Sequence, residues 1–165
     1  MSDKVTEYIK REMMGGKKDF SKVLGVFPEH ILCAIEDDYL GYSGLYMYLD
    51  DILKNYRPDF VVISTHMEDS LENDLMSYFS QNGISVRTSS EYSEKNKIAV
   101  IICCDDIDRK DVMFRIDVPM DIYKMMGRKI CSDCYDKIAK DYPMAAKQFK
   151  KIGFFSSEKC PVCGR

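Results

Sequence analysis

Three short, continuously apolar runs, separated by stretches with helical periodicity, constrain the fold of this 165-residue chain most strongly. The runs are residues 31–35, 60–63 and 98–103. Runs of this length without polar alternation are typical of strands that are buried on both faces. Between them, the apolar residues of 45–56 and 67–79 recur at three- and four-residue spacing. That spacing predicts two amphipathic helices.

The resulting order is strand, helix, strand, helix, strand, with connections long enough for right-handed parallel crossovers. It predicts an α/β fold with a small three-layer sheet of mainly parallel strands. Residues 112–118 alternate between apolar and polar side chains, which predicts a half-exposed edge strand. We therefore expect an N-terminal helix and linker over residues 1–28, an α/β domain over 29–123, and a four-cysteine module containing helix over 124–165.

Composition excludes several classes of protein. Hydrophobic residues make up 45% of the chain and charged residues 31%, which is typical of a globular protein rather than a disordered one. The longest apolar runs have six residues, whereas a membrane helix needs roughly 20. The N-terminus shows no apolar stretch of the kind found in signal peptides. These features predict a cytoplasmic protein that does not bind membranes.

Seven cysteines are an odd number for a disulfide scaffold, so metal binding is the better interpretation. Cys131 and Cys134 form one Cys-x-x-Cys pair, and Cys160 and Cys163 form another after 25 intervening residues. Two residues between cysteines let both sulfurs reach one tetrahedral ion. Four cysteine ligands leave no open position for water, so the spacing predicts a structural site for Zn²⁺. Iron is the less favoured metal.

The second pair, with Gly164 behind it, resembles the metal-binding knuckle of zinc ribbons and related zinc fingers, and also that of rubredoxins. The resemblance covers residues 160–164 and implies a metal held by thiolates. The segment between the two pairs is rich in lysine and has helical periodicity, unlike the compact insert of rubredoxins, which favours zinc. A positive φ at Gly164 is expected to turn its backbone N–H toward a thiolate.

The charge of −3 is unevenly distributed. Residues 124–165 contain ten Lys and Arg against four Asp and Glu, a formal charge of +6. We expect Lys147, Lys150 and Lys151 to lie on the outer face of a helix whose apolar face runs from residue 145 to 152. This basic tail predicts contact with RNA, DNA or an acidic protein surface, with a merely solvated face as the alternative.

Phe154 and Phe155 follow directly after this stretch. They are expected to pack the tail in place, and an exposed contact patch is the alternative.

An enzymatic function is the alternative to a binding module. In a parallel sheet, residues that follow the strands meet at one edge. Candidate residues there are Glu36, His66, Asp105, Asp106 and Asp108. Such a cluster could hold Mg²⁺ or Mn²⁺ for phosphoryl transfer or hydrolysis.

The two carboxylates of residues 106–108, with a Glu after an earlier strand, are similar to the pattern of the Toprim nuclease and topoisomerase module. However, Glu36 lacks the Gly that normally follows in that module. No glycine-rich dinucleotide or phosphate loop is present in the sequence. Whether the chain is an enzyme is left open by the sequence.

Overall fold

The computed structural model describes residues 22–92, 97–105, 116 and 118–165. Its helices are α1 (Ser43–Tyr56), α2 (Asp69–Gln81), α3 (Met120–Tyr123), α4 (Ser132–Asp141) and α5 (Pro143–Ala146). Its strands are β1 (Ile31–Glu36), β2 (Phe60–Ser64), β3 (Ser85–Ser89), β4 (Ile98–Cys103), β5 (Lys129–Ile130) and β6 (Lys150–Lys151). Within these described parts, no helix has the length and apolar character needed to cross a membrane.

The chain divides into two compact units. The described parts of Met1–Leu40 and Tyr56–Ile116 form the N-terminal unit, and those of Gly41–Asn55 and Asp117–Arg165 form the C-terminal unit. Helix α1 therefore groups with the part of the chain that carries the two cysteine pairs. The predicted N-terminal helix lies outside the described residues, as does the predicted strand over 112–118 except for two of its residues, which are buried.

The N-terminal unit contains a mixed four-stranded sheet with the order β1-β4-β2-β3. β4 pairs antiparallel with both β1 and β2, and β2 pairs parallel with β3. The three predicted apolar strands are present, and every residue of β2 and β4 is buried. β3 is an edge strand with a largely exposed, polar sequence.

The prediction of mainly parallel strands is wrong, because two of the three strand pairings, those made by β4, are antiparallel. β1, β2 and β3 share one direction, as expected from their order along the chain. Only residues 90–97 join β3 to β4, whereas a parallel return requires a crossover of about a dozen residues or more. The chain therefore enters β4 at the same end of the sheet at which β3 finishes, and it runs back in the opposite direction. The apolar sequence of β4 indicates a central strand but carries no information about its direction.

The core of the N-terminal unit lies on both faces of this sheet. On one face, a short bridge between Val23 and Val26 packs against a cluster drawn from β1, β2 and β4. Helix α2 contacts β2 and β3, and it buries Leu75 and Phe79. Because side chains alternate along a strand, each central strand contributes apolar residues to both layers. This explains why its sequence shows no polar alternation.

In the C-terminal unit, α1 approaches α3 and the residues after it closely at Gly44. A Cβ atom at Gly44 would lie 3.1 Å from the carbonyl oxygen of Tyr123 and 2.7 Å from Cε of Met126. The Tyr42 and Tyr123 rings meet edge to face, with their centroids 5.9 Å apart. A glycine at position 44 is therefore required for α1 to approach residues 123–126 this closely.

β5 and β6 form a short parallel pair, and β6 takes the place of the last part of the helix predicted over residues 145–152. The expectation of one helix over residues 145–152 is wrong, because α5 ends at Ala146. The N–H of Gln148 donates to the Ala145 carbonyl at 2.9 Å, in a tight turn that leads out of the helix. The N–H of Lys150 then donates to Arg128, and that of Ile152 donates to Ile130. Pairing with β5 thus takes over from helical hydrogen bonding.

Candidate metal centre

Four cysteines from two separate segments meet at one end of the β5–β6 pair. Cys131 follows β5 directly and occupies the N-cap position of α4, while Cys134 lies in the first turn of that helix. Cys160 and Cys163 belong to a C-terminal turn that is closed by a 2.8 Å hydrogen bond from the Gly164 N–H to the Cys160 carbonyl. We refer to these four residues as the cysteine cluster.

The spacing of the sulfurs in the cysteine cluster matches what one metal ion requires. All four Sγ atoms lie within 4.8 Å of one another. Four sulfurs placed tetrahedrally at about 2.3 Å from an ion would lie about 3.8 Å apart, and the Sγ atoms of Cys131 and Cys163 are 3.8 Å apart. The cluster could therefore hold a metal ion with four thiolate ligands.

The two buried cysteines of the cluster have opposite electrostatic environments. Burial opposes ionisation of Cys160, but N–H groups of Cys131, Cys163 and Val162 point at its sulfur and lower its pKa to about 6. The Cys131 N–H lies 3.4 Å from that sulfur. Burial and hydrogen bonding to neighbouring thiols raise the pKa of Cys134. Cys160 is thus the sulfur that this backbone stabilises as a thiolate.

Gly164 does not have the expected hydrogen bond, although its conformation is as expected. Its φ is +73°, in the left-handed region that favours glycine. Its N–H donates to the carbonyl of Cys160 rather than to a sulfur. The N–H groups that stabilise the Cys160 thiolate come instead from residues 131, 162 and 163.

The three lysines predicted to bind a partner are exposed, but they do not share one helix face. Lys147 follows α5, whereas Lys150 and Lys151 are consecutive residues of β6. Consecutive strand residues point to opposite faces. Lys151 forms an ion pair of 3.2 Å with Asp136 and lies over the ring of Tyr135.

Phe154 and Phe155 do not pack the tail in place. Their side chains are 97% and 98% exposed, so the packing expectation is wrong. The chain forms a tight turn here, because the N–H of Ser156 donates to the carbonyl of Gly153 at 2.9 Å. Gly153 and Ser156 flank the two phenylalanines but do not occupy the central positions of the turn, so the sequence is only a weak signal for it.

Two carboxylates of the alternative, enzymatic site, those of Glu36 and Asp105, lie apart in the described part of the chain. Glu36 ends β1 beside the start of β4, whereas Asp105 follows the end of β4. The two residues thus lie at opposite ends of the strands, separated by at least five residues of strand, or about 16 Å. The backbone N–H of Asp105 donates to the Asp59 carboxylate at 2.7 Å. Asp106 and Asp108 lie outside the described residues.

His66 lies at the same end of the sheet as Glu36. It belongs to a group of side chains in contact with one another that the sequence did not indicate. Its ring stacks on Tyr92, with a centroid distance of 5.3 Å and an interplanar angle of 17°. The Tyr92 hydroxyl donates to the Asp37 carboxylate at 2.7 Å. Across the described parts of the chain, the cysteine cluster is the one group of three or more Cys, His, Asp or Glu residues close enough to hold a metal ion.

The family relationship concerns the part of the chain before the cysteine cluster. The sequence profile of the DUF1694 family, described as proteins of unknown function, matches residues 2–113. The chain belongs to the DUF1694 family. Both cysteine pairs lie beyond the DUF1694 match, which ends before Cys131. The family match therefore carries no information about the metal centre.

A solved structure supports the fold of this DUF1694 protein. The chain is similar to the crystal structure of the YueI protein from Bacillus subtilis, with a TM-score of 0.52 and 19% sequence identity. The similarity covers 97% of the YueI chain but 74% of this one, so about a quarter of this chain has no counterpart there. No curated protein matches the sequence significantly. At this identity the similarity establishes the fold alone.

Proposed function

We propose that the C-terminal unit is a binding module built around a structural zinc ion, and that its basic surface contacts nucleic acid. The observation that carries the proposal is the cysteine cluster, in which four sulfurs lie within 4.8 Å of one another. A site filled by four thiolates has no position for a reacting water, so it stabilises the fold rather than performing catalysis.

The size of the C-terminal unit supports a structural role for the metal. The unit has one longer helix, α1, and the rest of it, residues 118–165, has only short elements, namely two-residue strands and helices of four to ten residues. Units this small usually need a metal or disulfides in addition to their hydrophobic core. The insert between the cysteine pairs holds two helices and buries Ile138, Ala145 and Phe149. This folded insert favours zinc, as in other helix-containing zinc modules, over rubredoxin-like iron.

The charges around the cluster support a polyanionic partner. Lys129 and Lys150 are directly paired in the β5–β6 register, and both are exposed. Glu158 forms an ion pair with Lys129 at 3.0 Å, so these three residues keep a net charge of +1 that attracts a phosphate. Four thiolates on one Zn²⁺ contribute a net −2, which leaves a charge of about +4 on residues 124–165. An acidic protein surface is the competing partner.

The proposal is tested by measuring metal content and salt-dependent binding on the same preparation. Elemental analysis should find about one zinc per chain, and retention on RNA or heparin should weaken steeply with salt. Reversing the charges of three exposed lysines should flatten the slope of log K against log salt by about one to two units, because Lys150 and Lys151 point to opposite faces, while zinc content is unchanged. The substituted residues are Lys147, Lys150 and Lys151.

Two results would refute parts of this proposal. Protein without metal, or with the red spectrum of iron bound to thiolates, would refute the zinc assignment. Zinc-loaded protein that shows no salt-sensitive retention at low ionic strength would refute nucleic-acid binding. As a matched control, Lys54→Glu reverses one exposed charge on helix α1, outside the sequence of the basic tail, and should leave the slope unchanged.

A further inference from the structure

Among the described residues, the most exposed aromatic side chains belong to one hydrogen-bonded turn, which we call the aromatic turn (residues 153–156). Phe154 and Phe155 occupy its two central positions, and the hydrogen bond from Ser156 to Gly153 closes it. Large hydrophobic side chains with exposures of 97% and 98% are uncommon on a protein surface unless a partner covers them.

The aromatic turn is held on both sides rather than belonging to a loose end of the chain. Before it, the N–H of Ile152 donates to Ile130 at 2.8 Å, which ties the chain to β5. After it, the chain enters the cysteine cluster at Cys160, which is completely buried. The backbone on either side of the two rings is therefore anchored, and the rings themselves are exposed.

Positively charged residues of the C-terminal unit lie close to the aromatic turn in the sequence. A shallow groove of about 470 Å³, which we call the basic groove, lies in the same unit. Its lining residues are Arg128, Lys129, Glu158, Lys159 and Pro161. Glu158 is paired with Lys129 at 3.0 Å, so the groove keeps a net positive charge.

Several lysines are close to the aromatic turn along the chain. Lys150 and Lys151 precede Phe154 by three or four residues, and Lys159 follows Phe155 by four. At 3.8 Å per residue, each of these lysines has its Cα within about 15 Å of the nearer phenylalanine Cα. Exposed aromatic rings beside a positive groove are the two components with which proteins bind single-stranded nucleic acid.

The accessibility of base faces argues for a single strand over a duplex. In a duplex the faces of the bases are covered by the neighbouring base pairs, and only base edges are open in the grooves. A single strand can rotate its bases independently, so each ring can receive one base on its face. The two ring centroids lie 5.3 Å apart, so two such faces are offered side by side.

We infer that Phe154 and Phe155 stack on bases of single-stranded RNA or DNA whose phosphates are bound by the basic groove. This inference rests on the proposed function, and it names the class of nucleic acid and the side chains that select it. The selection follows from stacking on unpaired bases, because the lysines alone would bind duplex and single strand by charge.

The test compares three double variants at Phe154 and Phe155, with alanine, leucine or tyrosine at both positions. Binding of a labelled oligouridylate of about twenty nucleotides is measured by anisotropy at several salt concentrations, beside a duplex of equal length. Alanine and leucine should each weaken single-strand binding by about 5- to 150-fold per stacked base, whereas tyrosine should retain it. All three variants should keep the metal, since both side chains are exposed.

The salt dependence separates this inference from the proposed function. Loss of stacking lowers the affinity at every salt concentration without changing the slope, whereas loss of lysines changes the slope. Salt-dependent binding that is unaffected by alanine at both phenylalanines would overturn the stacking inference and leave the proposed function intact. Wild-type protein that binds neither oligomer would overturn both.

The leucine variant distinguishes other partners. A lipid surface or an apolar protein pocket accepts leucine nearly as well as phenylalanine, whereas base stacking needs a flat ring. Affinity for the oligomer that survives with leucine would overturn the inference. So would binding to vesicles of anionic phospholipid that is tighter than binding to the oligomer and is lost with alanine.

Discussion

Replacing Cys160 with serine tests the metal centre most directly, because this residue combines two roles. It is completely buried, and it is the sulfur at which three backbone N–H groups point. Cys163 is exposed and provides the comparison within the same Cys-x-x-Cys pair. Cys160→Ser removes a metal ligand and also the acceptor for those N–H groups, whereas Cys163→Ser removes a ligand at a site that water can reach.

The magnitude follows from the ligand count. Structural zinc sites in small modules bind with roughly 10–16 kcal/mol, so one of four ligands is worth about 2.5–4 kcal/mol. A hydrogen bond to a charged acceptor adds roughly 1.5–3 kcal/mol. We therefore expect Cys163→Ser to weaken zinc binding by about 70- to 900-fold, and Cys160→Ser to weaken it by at least about a further tenfold.

The assay is competition against a chromophoric chelator, followed by limited proteolysis. Residues 118–165 should become protease-sensitive when the metal is lost, because site formation is coupled to folding of the C-terminal unit. Cys33→Ala is the matched control, since Cys33 is equally buried but belongs to β1. Equal effects of the two serine variants, or metal loss in the control, would refute this account of the site.

Two further measurements test the core and the pH dependence. Leu49 is completely buried in α1, so Leu49→Ala should lower the free energy of unfolding by about 2–5 kcal/mol in urea titrations. The control Lys54→Ala, on the exposed side of that helix, should change the free energy of unfolding by less than about 0.5 kcal/mol. A similarly small effect of Leu49→Ala would mean that its side chain is not part of the core. The pKa of Cys160 is lowered from 9.0 to about 6 in the folded protein. Its thiolate therefore contributes stability that is complete above pH 9.0 and is lost as the pH falls through about 6. Metal content measured across that range should therefore fall most steeply at or below about pH 6, where protons displace the ion, and metal that is retained unchanged at about pH 4 would contradict this.

The elements of the sheet are predictable from the sequence, whereas their arrangement is not. Residues 31–35, 60–63 and 98–103 are strands because each is a short apolar run, and that property is local. The direction of β4 depends on how the chain returns from β3, which is a property of the connection and of the whole sheet. The prediction that Glu36 and Asp105 meet at one edge fails for this reason.

The sequence by itself predicts the four-cysteine group, because two residues between cysteines constrain a few consecutive backbone angles and little else is needed to aim two sulfurs at one ion. Only the tertiary structure decides which sulfur the backbone N–H groups stabilise, here that of Cys160, and whether Phe154 and Phe155 are buried or exposed. Burial depends on which other parts of the chain come near a side chain. Two adjacent phenylalanines have the same composition in a core and at the tip of a turn, and here the pairing of β5 with β6 places them at the tip.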